Sequence, residues 1–267
     1  MSAPSTNRTR RSPLLAAYAI LVFAFIYLPI VVLVVYSFNL DGVGGFPPRH
    51  FTFDWYRQLF SSDRAIWDSV LNSLLVAAGA VILSLLLGLL AALALDRADF
   101  PGKALFRRLV LLPLILPGII TGLSMLLFAV FAGFQRSLTL VFLGHGTALI
   151  SVATTEIFAG LQKMDRRLEE ASLDLGATPW RTFWLVTLPN LRLSLIAAGL
   201  LIFTLSMDEI AVTFFLIGSD NTLPLEIWGR LRRGITPEIN AISSLILAVS
   251  VVLLVVWYHL RTRSERQ

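Results

Sequence analysis

The sequence predicts an all-α integral membrane protein that crosses the bilayer six times. Of its 267 residues, 56% are hydrophobic and 15% are charged, and the mean hydropathy is +0.77. Soluble domains average about 45–50% apolar and about 25% charged residues, so this chain has too little polar surface to cover a core in water. Its apolar stretches are also continuous, which is typical of transmembrane helices and not of alternating barrel strands.

Six apolar stretches are long enough to cross the hydrocarbon core, which takes about 20 helical residues. They occupy residues 14–38, 70–95, 109–134, 139–161, 193–217 and 241–260. The first stretch follows three arginines, as in a signal peptide, but its length of about 25 residues exceeds the 7–15 of a signal core. We therefore expect a retained helix. The predicted organisation is a tail (1–13), an N-terminal helix with a loop (14–69), a five-helix core (70–260) and a second tail (261–267).

The basic residues predict the orientation. All 22 Lys and Arg residues lie outside the six stretches. The two tails and the segments 96–108 and 162–192 carry 15 of them, whereas the three segments on the other side carry 7. Because Lys and Arg are enriched in cytoplasmic loops, both termini are predicted to be cytoplasmic.

The side predicted to be external has two notable features. Trp55, Tyr56 and Phe60 occur among charged residues, a pattern that fits either a short interfacial helix or an ordinary aromatic belt. Three arginines follow later, where few are expected, and either pair with an acidic partner or are solvated. They are Arg230, Arg232 and Arg233.

Two prolines, Pro113 and Pro117, fall inside the third stretch. Proline removes a backbone hydrogen bond, so this helix is expected to kink. Such kinks occur in moving or cavity-lining helices and also in membrane helices without a special role, and both interpretations stay open here.

The segment 162–192 is too long for a simple connection between two spans. Leu168, Ala171 and Leu175 share one face of a predicted helix. Gly176 then stands where a helix-ending glycine is expected, and Thr178-Pro179 begins a second helix that should end at Pro189. This helix–turn–helix predicts a docking element for a soluble partner.

Three acidic residues, Glu156, Asp208 and Glu209, lie within the apolar stretches. Charges there are costly and usually face a cavity or a partner, although a position near the end of a span also explains them. We expect Asp208 to face a translocation path, with Thr204 and Phe215 on about the same helical face and Glu209 on another.

Several kinds of chemistry are missing from the sequence. Cysteine is absent, which excludes disulfides, thiolate metal sites and a cysteine nucleophile. There is no phosphate-binding loop of the form G-x-x-x-x-G-K-[ST], and no zinc or serine-hydrolase signature. The three histidines are scattered, and His145 is expected to be hydrogen-bonded in place and not to bind a metal.

A motif of fixed spacing runs through the loop 162–192. Its residues are Glu170-Ala171-Ser172, Gly176, Val186 and Leu188-Pro189. This arrangement resembles the EAA loop of ABC importer permeases, EAA-x3-G-x9-I-x-LP, with Ser172 and Val186 as the two departures. The segments 203–209, 212–215, 222–225 and 232–241 are further similar to spermidine/putrescine permeases of the PotC type, with Met207 where that group usually has Phe.

The resemblance implies a type I importer (MetI-like) permease fold in a bacterial inner membrane. It implies a heterodimer with a second permease, two ATP-binding subunits and an external solute-binding protein, with alternating access as the mechanism. This chain would bind no cofactor or metal, because ATP and Mg²⁺ belong to the ATPase. The residues expected to dock the ATPase are Glu169, Glu170, Ala171, Ser172, Leu175 and Gly176.

The sequence therefore predicts a non-catalytic permease subunit that passes a small cation, most specifically a polyamine. Permeation of another small solute by an ABC importer is an alternative. An ion-coupled secondary transporter that uses Asp208 or Glu209 is a second alternative, although no internal repeat supports it. A membrane-embedded enzyme or scaffold is a third alternative, and no catalytic cluster in the spans supports it.

Overall fold

The computed structural model describes residues 13–40, 50–234 and 236–264. Within these ranges the regular structure is helical, apart from an isolated antiparallel bridge between Asn39 and Phe51. The predicted all-α class is confirmed. Most of the predicted N-terminal tail, the last three residues of the C-terminal tail, and Ile235 of the segment 232–241 lie outside the described residues.

Thirteen α-helices occur in the described ranges, with a 3₁₀ turn at Leu112–Leu114 and a π turn at Phe183–Thr187. The helices are α1 (Pro13–Tyr36), α2 (Asp54–Ser61), α3 (Arg64–Arg97), α4 (Lys103–Leu111), α5 (Gly118–Phe131), α6 (Leu138–Ala148), α7 (Ile150–Lys163), α8 (Arg167–Asp174), α9 (Pro179–Thr182), α10 (Leu188–Met207), α11 (Ala211–Leu216), α12 (Leu223–Arg233) and α13 (Pro237–Ser264).

Four helical segments of the described chain are long and apolar enough to cross a membrane. They are Leu14–Tyr36, Arg64–Arg97, Leu138–Lys163 and Pro179–Met207. A fifth candidate is the bent pair formed by α4 and α5. The apolar part of α13, Pro237–Val252, is shorter. The count of six spans therefore stays a prediction, whereas the membrane-spanning character of the chain agrees with the sequence.

The predicted third span, 109–134, is interrupted. The helix α4, together with its 3₁₀ extension, meets α5 at an angle of 107°. Pro113 and Pro117 explain the break, because each lacks an N–H group and disfavours helical geometry in the residue before it. The expected kink is thus a complete change of direction.

The predicted fifth span, 193–217, is wrong as one continuous helix. The helix begins earlier, at Leu188, and stops at Met207 before α11 begins. Glu209 helps to restart it, because the Glu209 Oε1 atom accepts the backbone N–H of Val212 at 2.9 Å in the first turn of α11. A side chain that satisfies the backbone in this way competes with continued helix.

The described residues form two compact units, of which the larger is 64–229. One hydrophobic cluster of this unit lies between α3, α7 and α10 and consists of Ala92, Val152, Ala153, Ile157, Leu161, Leu191, Ala198 and Ile202. The buried face of α3 is rich in small residues, among them Ala80, Ser84 and Gly88. Small residues let membrane helices approach closely, which provides packing without a hydrophobic driving force.

The second unit combines the described residues of 1–63 with those of 230–267. The Tyr56 hydroxyl lies 2.6 Å from Ser37 Oγ and 2.7 Å from Ser244 Oγ, so α2 is hydrogen-bonded to residues beside α1 and in α13. Arg230 makes a bidentate pair with Asp63 at 2.6 and 2.8 Å. Residues 54–61 are helical, as the interpretation of Trp55, Tyr56 and Phe60 as part of a short helix requires, and Arg230 pairs within its own chain.

Gly88 provides a test of the α3–α7 packing. A Cβ atom on Gly88 would lie 2.4 Å from the Ala153 Cβ and 3.0 Å from the Thr154 nitrogen. We expect Gly88→Ala to lower the free energy of unfolding by about 1–3 kcal/mol, measured by denaturation of the purified protein in detergent. Gly229→Ala is the control, because no atom lies within 4 Å of its Cβ position. Equal stability of the two variants would contradict this packing.

Candidate functional site

The predicted docking loop is attached to the end of α3 through Asp96, whose side chain is only 5% exposed. The Asp96 Oδ1 atom accepts hydrogen bonds from Arg166 Nη2 at 3.0 Å and from Gln162 Nε2 at 2.7 Å. Gln162 lies at the end of α7, and Arg166 directly precedes α8. One buried carboxylate therefore fixes the direction in which the chain leaves α7.

Glu169 makes a second attachment. Its carboxylate pairs with Arg97 and accepts the hydroxyl of Thr187, and its side chain is 17% exposed. Arg97 Nη2 also donates to Thr187 Oγ1 at 3.3 Å. Three residues, from α3, α8 and the π turn before α10, thus form one network. Ser172 contributes a further contact, 3.0 Å from Thr182 Oγ1.

The turn after α8 has the predicted geometry. Gly176 has a φ of +82°, and its N–H donates to the carbonyl of Leu173 at 2.9 Å. No atom lies within 4 Å of its ideal Cβ position, so the backbone conformation and not the available space calls for glycine. The Thr178 side chain accepts the N–H of Arg181, and Pro179 begins α9, as the sequence predicts.

The outer face of α8 is uncovered. Leu168, Ala171 and Leu175 are all exposed, and Leu175 reaches 90%. Trp180 and Trp184, in the turns that follow, are also exposed. Clustered apolar side chains on a surface usually mark a contact with another molecule. Within the described part of the chain nothing covers this face, so it is available for a partner.

The six residues expected to dock a partner divide into two groups. Glu169 and Ser172 contact other helices of the same chain and hold the loop in place. The exposed residues are Glu170, Ala171, Leu175 and Gly176. Helical periodicity predicts the exposed apolar face, but the inward direction of Glu169 depends on Arg97, which is 72 positions away.

The second loop helix does not end at Pro189, contrary to the prediction. The π turn connects α9 to α10, and the chain is helical from Pro179 to Met207. Pro189 lies in the first turn of α10, where the wider π turn before it accommodates a residue without an N–H group. The second half of the docking loop and the first part of the fifth span are therefore one continuous helical segment.

A cavity of about 170 Å³ lies where the two interrupted spans meet the joint between α6 and α7. Its wall contains Pro113 and Gly118 from the α4–α5 break, Leu149 from the joint between α6 and α7, and Glu209 from the α10–α11 break. Irregular backbone at membrane depth is tolerated where protein buries it or where it lines a cavity. This cavity is the candidate translocation region.

The four residues predicted along the path are in different environments. Asp208 and Thr204 are exposed on this chain, and the Thr204 hydroxyl donates to the Leu200 carbonyl at 2.9 Å. Phe215 is half-buried, whereas Glu209 is half-buried and lines the cavity. Because the helix stops after residue 207, the helical spacing that grouped Phe215 with Asp208 does not apply.

His145 on α6 holds the two sides of the break in the fifth span. Its Nδ1 lies 2.8 Å from Ser206 Oγ, at the end of α10, and its Nε2 lies 2.9 Å from Thr213 Oγ1, in α11. The Thr213 hydroxyl donates to the Glu209 carbonyl, so Nε2–H donates to Thr213 and Nδ1 accepts from Ser206. The prediction that His145 is hydrogen-bonded in place is confirmed.

The helices α5 and α11, each of which follows a break in its span, pack directly on each other. A Cβ atom on Gly118 would lie 3.3 Å from the Ala211 Cβ, and one on Gly122 would lie 3.0 Å from the Val212 Cα. These glycines are four residues apart, which is the small-xxx-small spacing of close helix contacts in membranes. The helices α5 and α11 thus meet almost backbone to backbone.

The family model described as "Binding-protein-dependent transport system inner membrane component" matches residues 84–266. The match covers more than half of the chain and includes the anchored loop, both breaks and the joint at Leu149. The chain belongs to this family. It is thus a membrane-embedded transport subunit, and ATP hydrolysis is the task of separate subunits.

Two curated relatives are similar over nearly the whole chain. The putrescine transport system permease protein PotI of Escherichia coli strain K12 is 37% identical over 96% of this chain and 94% of its own length. The spermidine/putrescine transport system permease protein PotC of Haemophilus influenzae is 32% identical over 90% of this chain and 93% of its own length.

Two solved structures share the fold. An ABC transporter involved in the import of the acidic polysaccharide alginate has a TM-score of 0.70 at 19% identity and covers 96% of this chain and 99% of its own. An inward-facing MetNI methionine ABC transporter has a TM-score of 0.55 at 18% identity, covering 77% and 95%. The predicted importer permease fold is confirmed.

Glu169 and Glu170 are neighbours with different environments, since Glu169 pairs with Arg97 and Glu170 is exposed on α8. Glu169→Gln should lower the free energy of unfolding by about 1–3 kcal/mol, because a charge-assisted bond to Arg97 is lost. Glu170→Gln should change it by no more than about 0.5 kcal/mol, as for an exposed side chain. Hydrogen exchange of the segment 167–182, in detergent, measures both. Faster exchange in the Glu170 variant than in the Glu169 variant would contradict the assignment.

Proposed function

We propose that the chain is the permease subunit of an ATP-driven importer that carries a polyamine across the bacterial inner membrane. The family supports the transport role, and the named relatives support putrescine or spermidine as cargo. The observation that carries the proposal is the anchored α8 loop, whose apolar outer face is not covered by any of the described residues. A chain without a nucleotide-binding motif needs such a contact surface, because the conformational changes of a separate ATPase must be transmitted to it.

The proposed coupling runs from α8 to the interrupted spans. Movement of α8 is transmitted through Glu169 and Thr187 to α10, since these residues are hydrogen-bonded at the start of that helix. The helix α10 has 20 residues, so it extends about 30 Å, the thickness of a hydrocarbon core. It ends at Asp208. ATP-driven displacement of α8 would thus shift the break and alternate access to the cavity.

Cargo recognition in this proposal uses Asp208. Its carboxylate is exposed on this chain, at the interruption of an apolar span. An ammonium about 4 Å from a carboxylate gains about 4 kcal/mol at an effective dielectric constant of 20, before the cost of desolvation. That leaves a weak site, which suits a path that must release its cargo.

The proposed assembly contains a second homologous permease, two ATP-binding subunits at the α8 face and a solute-binding protein outside. ATP and Mg²⁺ belong to the ATP-binding subunits, and this chain holds neither. Both termini are cytoplasmic in this arrangement, as the distribution of Lys and Arg favours.

Docking at α8 can be tested at Gly176. Gly176→Val should place a branched residue in the left-handed region at a cost of about 1–2 kcal/mol, and it should distort the end of α8. In membranes that contain the assembled transporter, we expect cargo-stimulated ATP hydrolysis and uptake to fall while the permease stays inserted.

Gly133→Val is the matched control for this experiment. Gly133 has a φ of +76° and no atom within 4 Å of its Cβ position, but it lies in the α5–α6 turn, away from α8. It carries the same backbone penalty without touching the docking face. Normal coupling in Gly176→Val, or an equal loss in both variants, would refute docking at α8.

The proposed cargo site can be tested at Asp208. Asp208→Asn removes the charge without changing the size of the side chain, so uptake of radiolabelled putrescine and spermidine should fall at least tenfold at matched expression. Glu209→Gln should have a smaller effect, because the amide oxygen can still accept the N–H of Val212.

The assembly must be assayed alongside uptake. Co-purification of the ATP-binding subunits and docking of the binding protein should persist in the Asp208→Asn variant. Unchanged uptake in that variant would remove Asp208 from the path. Absence of polyamine uptake by the unmodified transporter, with another solute carried instead, would overturn the choice of cargo but not the permease role.

A further inference from the structure

The helix α4 and its surroundings contain a basic cavity that the transport path does not use. The cavity has a volume of about 460 Å³ and is lined by Leu95, Lys103, Ala104, Arg107, Arg108 and Phe158. These residues come from the end of α3, from α4 and from α7. The volume is within the range of about 300–1,000 Å³ that is usual for small-molecule sites.

The direction of α4 favours a position at the membrane surface. It meets α5 at 107°, so if α5 crosses the bilayer, α4 lies close to the membrane plane. Its Leu105, Leu109 and the following Leu112 are exposed and spaced four and three residues apart, on one helical face. Lys103 and Arg107, also four residues apart, occupy another face. This is the pattern of an amphipathic interfacial helix.

The cations of the cavity are incompletely neutralised by the described part of the chain. Lys103 pairs with Asp99 at 3.1 Å. The Arg107 guanidinium stacks over the Phe158 ring at 5.3 Å, a contact that orients the cation but does not cancel its charge. Arg108 lines the same cavity. An anionic group is the complementary ligand.

We propose that this cavity binds one anionic phospholipid. Its phosphodiester group would contact Arg107 and Arg108, and an acyl chain would lie against Leu95 and Phe158, which form the apolar part of the cavity wall. Basic pockets beside membrane helices on the cytoplasmic side are suited to anionic head groups. The cavity is on the side of α8, because Leu95 is adjacent to Asp96 and Arg97, which hold the docking loop.

This placement gives the lipid a regulatory position. The same turn of α3 forms the cavity wall and anchors the loop through Glu169 and Arg166. Occupancy of the cavity would therefore stabilise the end of α3 against which α8 is fixed.

The test uses the full-length protein in neutral detergent and counts lipids retained in native mass spectrometry. The probes are phosphatidylglycerol, phosphatidylcholine and inorganic phosphate. We expect one phosphatidylglycerol to bind at concentrations at which phosphatidylcholine does not. Arg107→Gln and Arg108→Gln should each weaken that binding about fivefold, which corresponds to about 1 kcal/mol per basic residue at a membrane surface. Inorganic phosphate at millimolar concentration should not displace the lipid.

Two further variants separate a cavity from general surface charge. Ala104→Phe fills the cavity and keeps all three cations, and it should abolish retention of the lipid. Arg192→Gln removes an exposed arginine near the start of α10, outside the cavity, and should retain it. Equal binding of both lipids, normal binding by Ala104→Phe, or displacement by inorganic phosphate would overturn the proposal. Displacement of the lipid by the ATP-binding subunits would overturn it as well, since the cavity would then be a protein interface.

Discussion

The structure depends on one constraint, which is that backbone N–H and C=O groups cannot be left unpaired in lipid. Two spans of the described chain are interrupted, so each must satisfy its freed groups internally, whereas Leu149 at the α6–α7 joint keeps its helical hydrogen bonds to His145 and Ala153. The chain does this by bringing the interruptions together around one cavity. His145 and Glu209 supply hydrogen bonds to the segments on either side of the α10–α11 break. The need to pair backbone groups in lipid makes a broken span costly, and it also explains why the two breaks lie beside each other.

Polar contacts also organise the surface at the end of α3. Asp96 and Arg97 are consecutive, yet they bind different parts of the loop, the first before α8 and the second within it. Two attachment points fix both the position and the direction of a short helix, whereas one would leave it free to rotate. The outer face of α8 can therefore remain apolar and exposed without losing its orientation, and a partner meets a surface that is already ordered.

Much of this architecture could be predicted from the sequence. Long apolar runs predict the helical membrane class, and Gly176, Thr178 and Pro179 predict the turn of the loop from local chemistry alone. The break in the fifth span could not be predicted in the same way, because no glycine or proline marks residues 208–210. It depends on His145, more than 60 positions earlier, and on a carboxylate that caps α11. The inward direction of Glu169 was missed for the same reason, since Arg97 lies far away in sequence.

The contact between α5 and α11 has a consequence for the kinds of motion the fold permits. At Gly118 and Gly122, α5 places no side chain of its own toward α11, so the two helices lie too close to tilt apart gradually. Movement between them is therefore expected as sliding along this contact, which is a shear, and not as opening about a hinge. A bulkier residue at either glycine would wedge this pair open. The fold therefore restricts both positions through their contact with α11, and it does so for Gly122 although that residue is not among those that line the cavity.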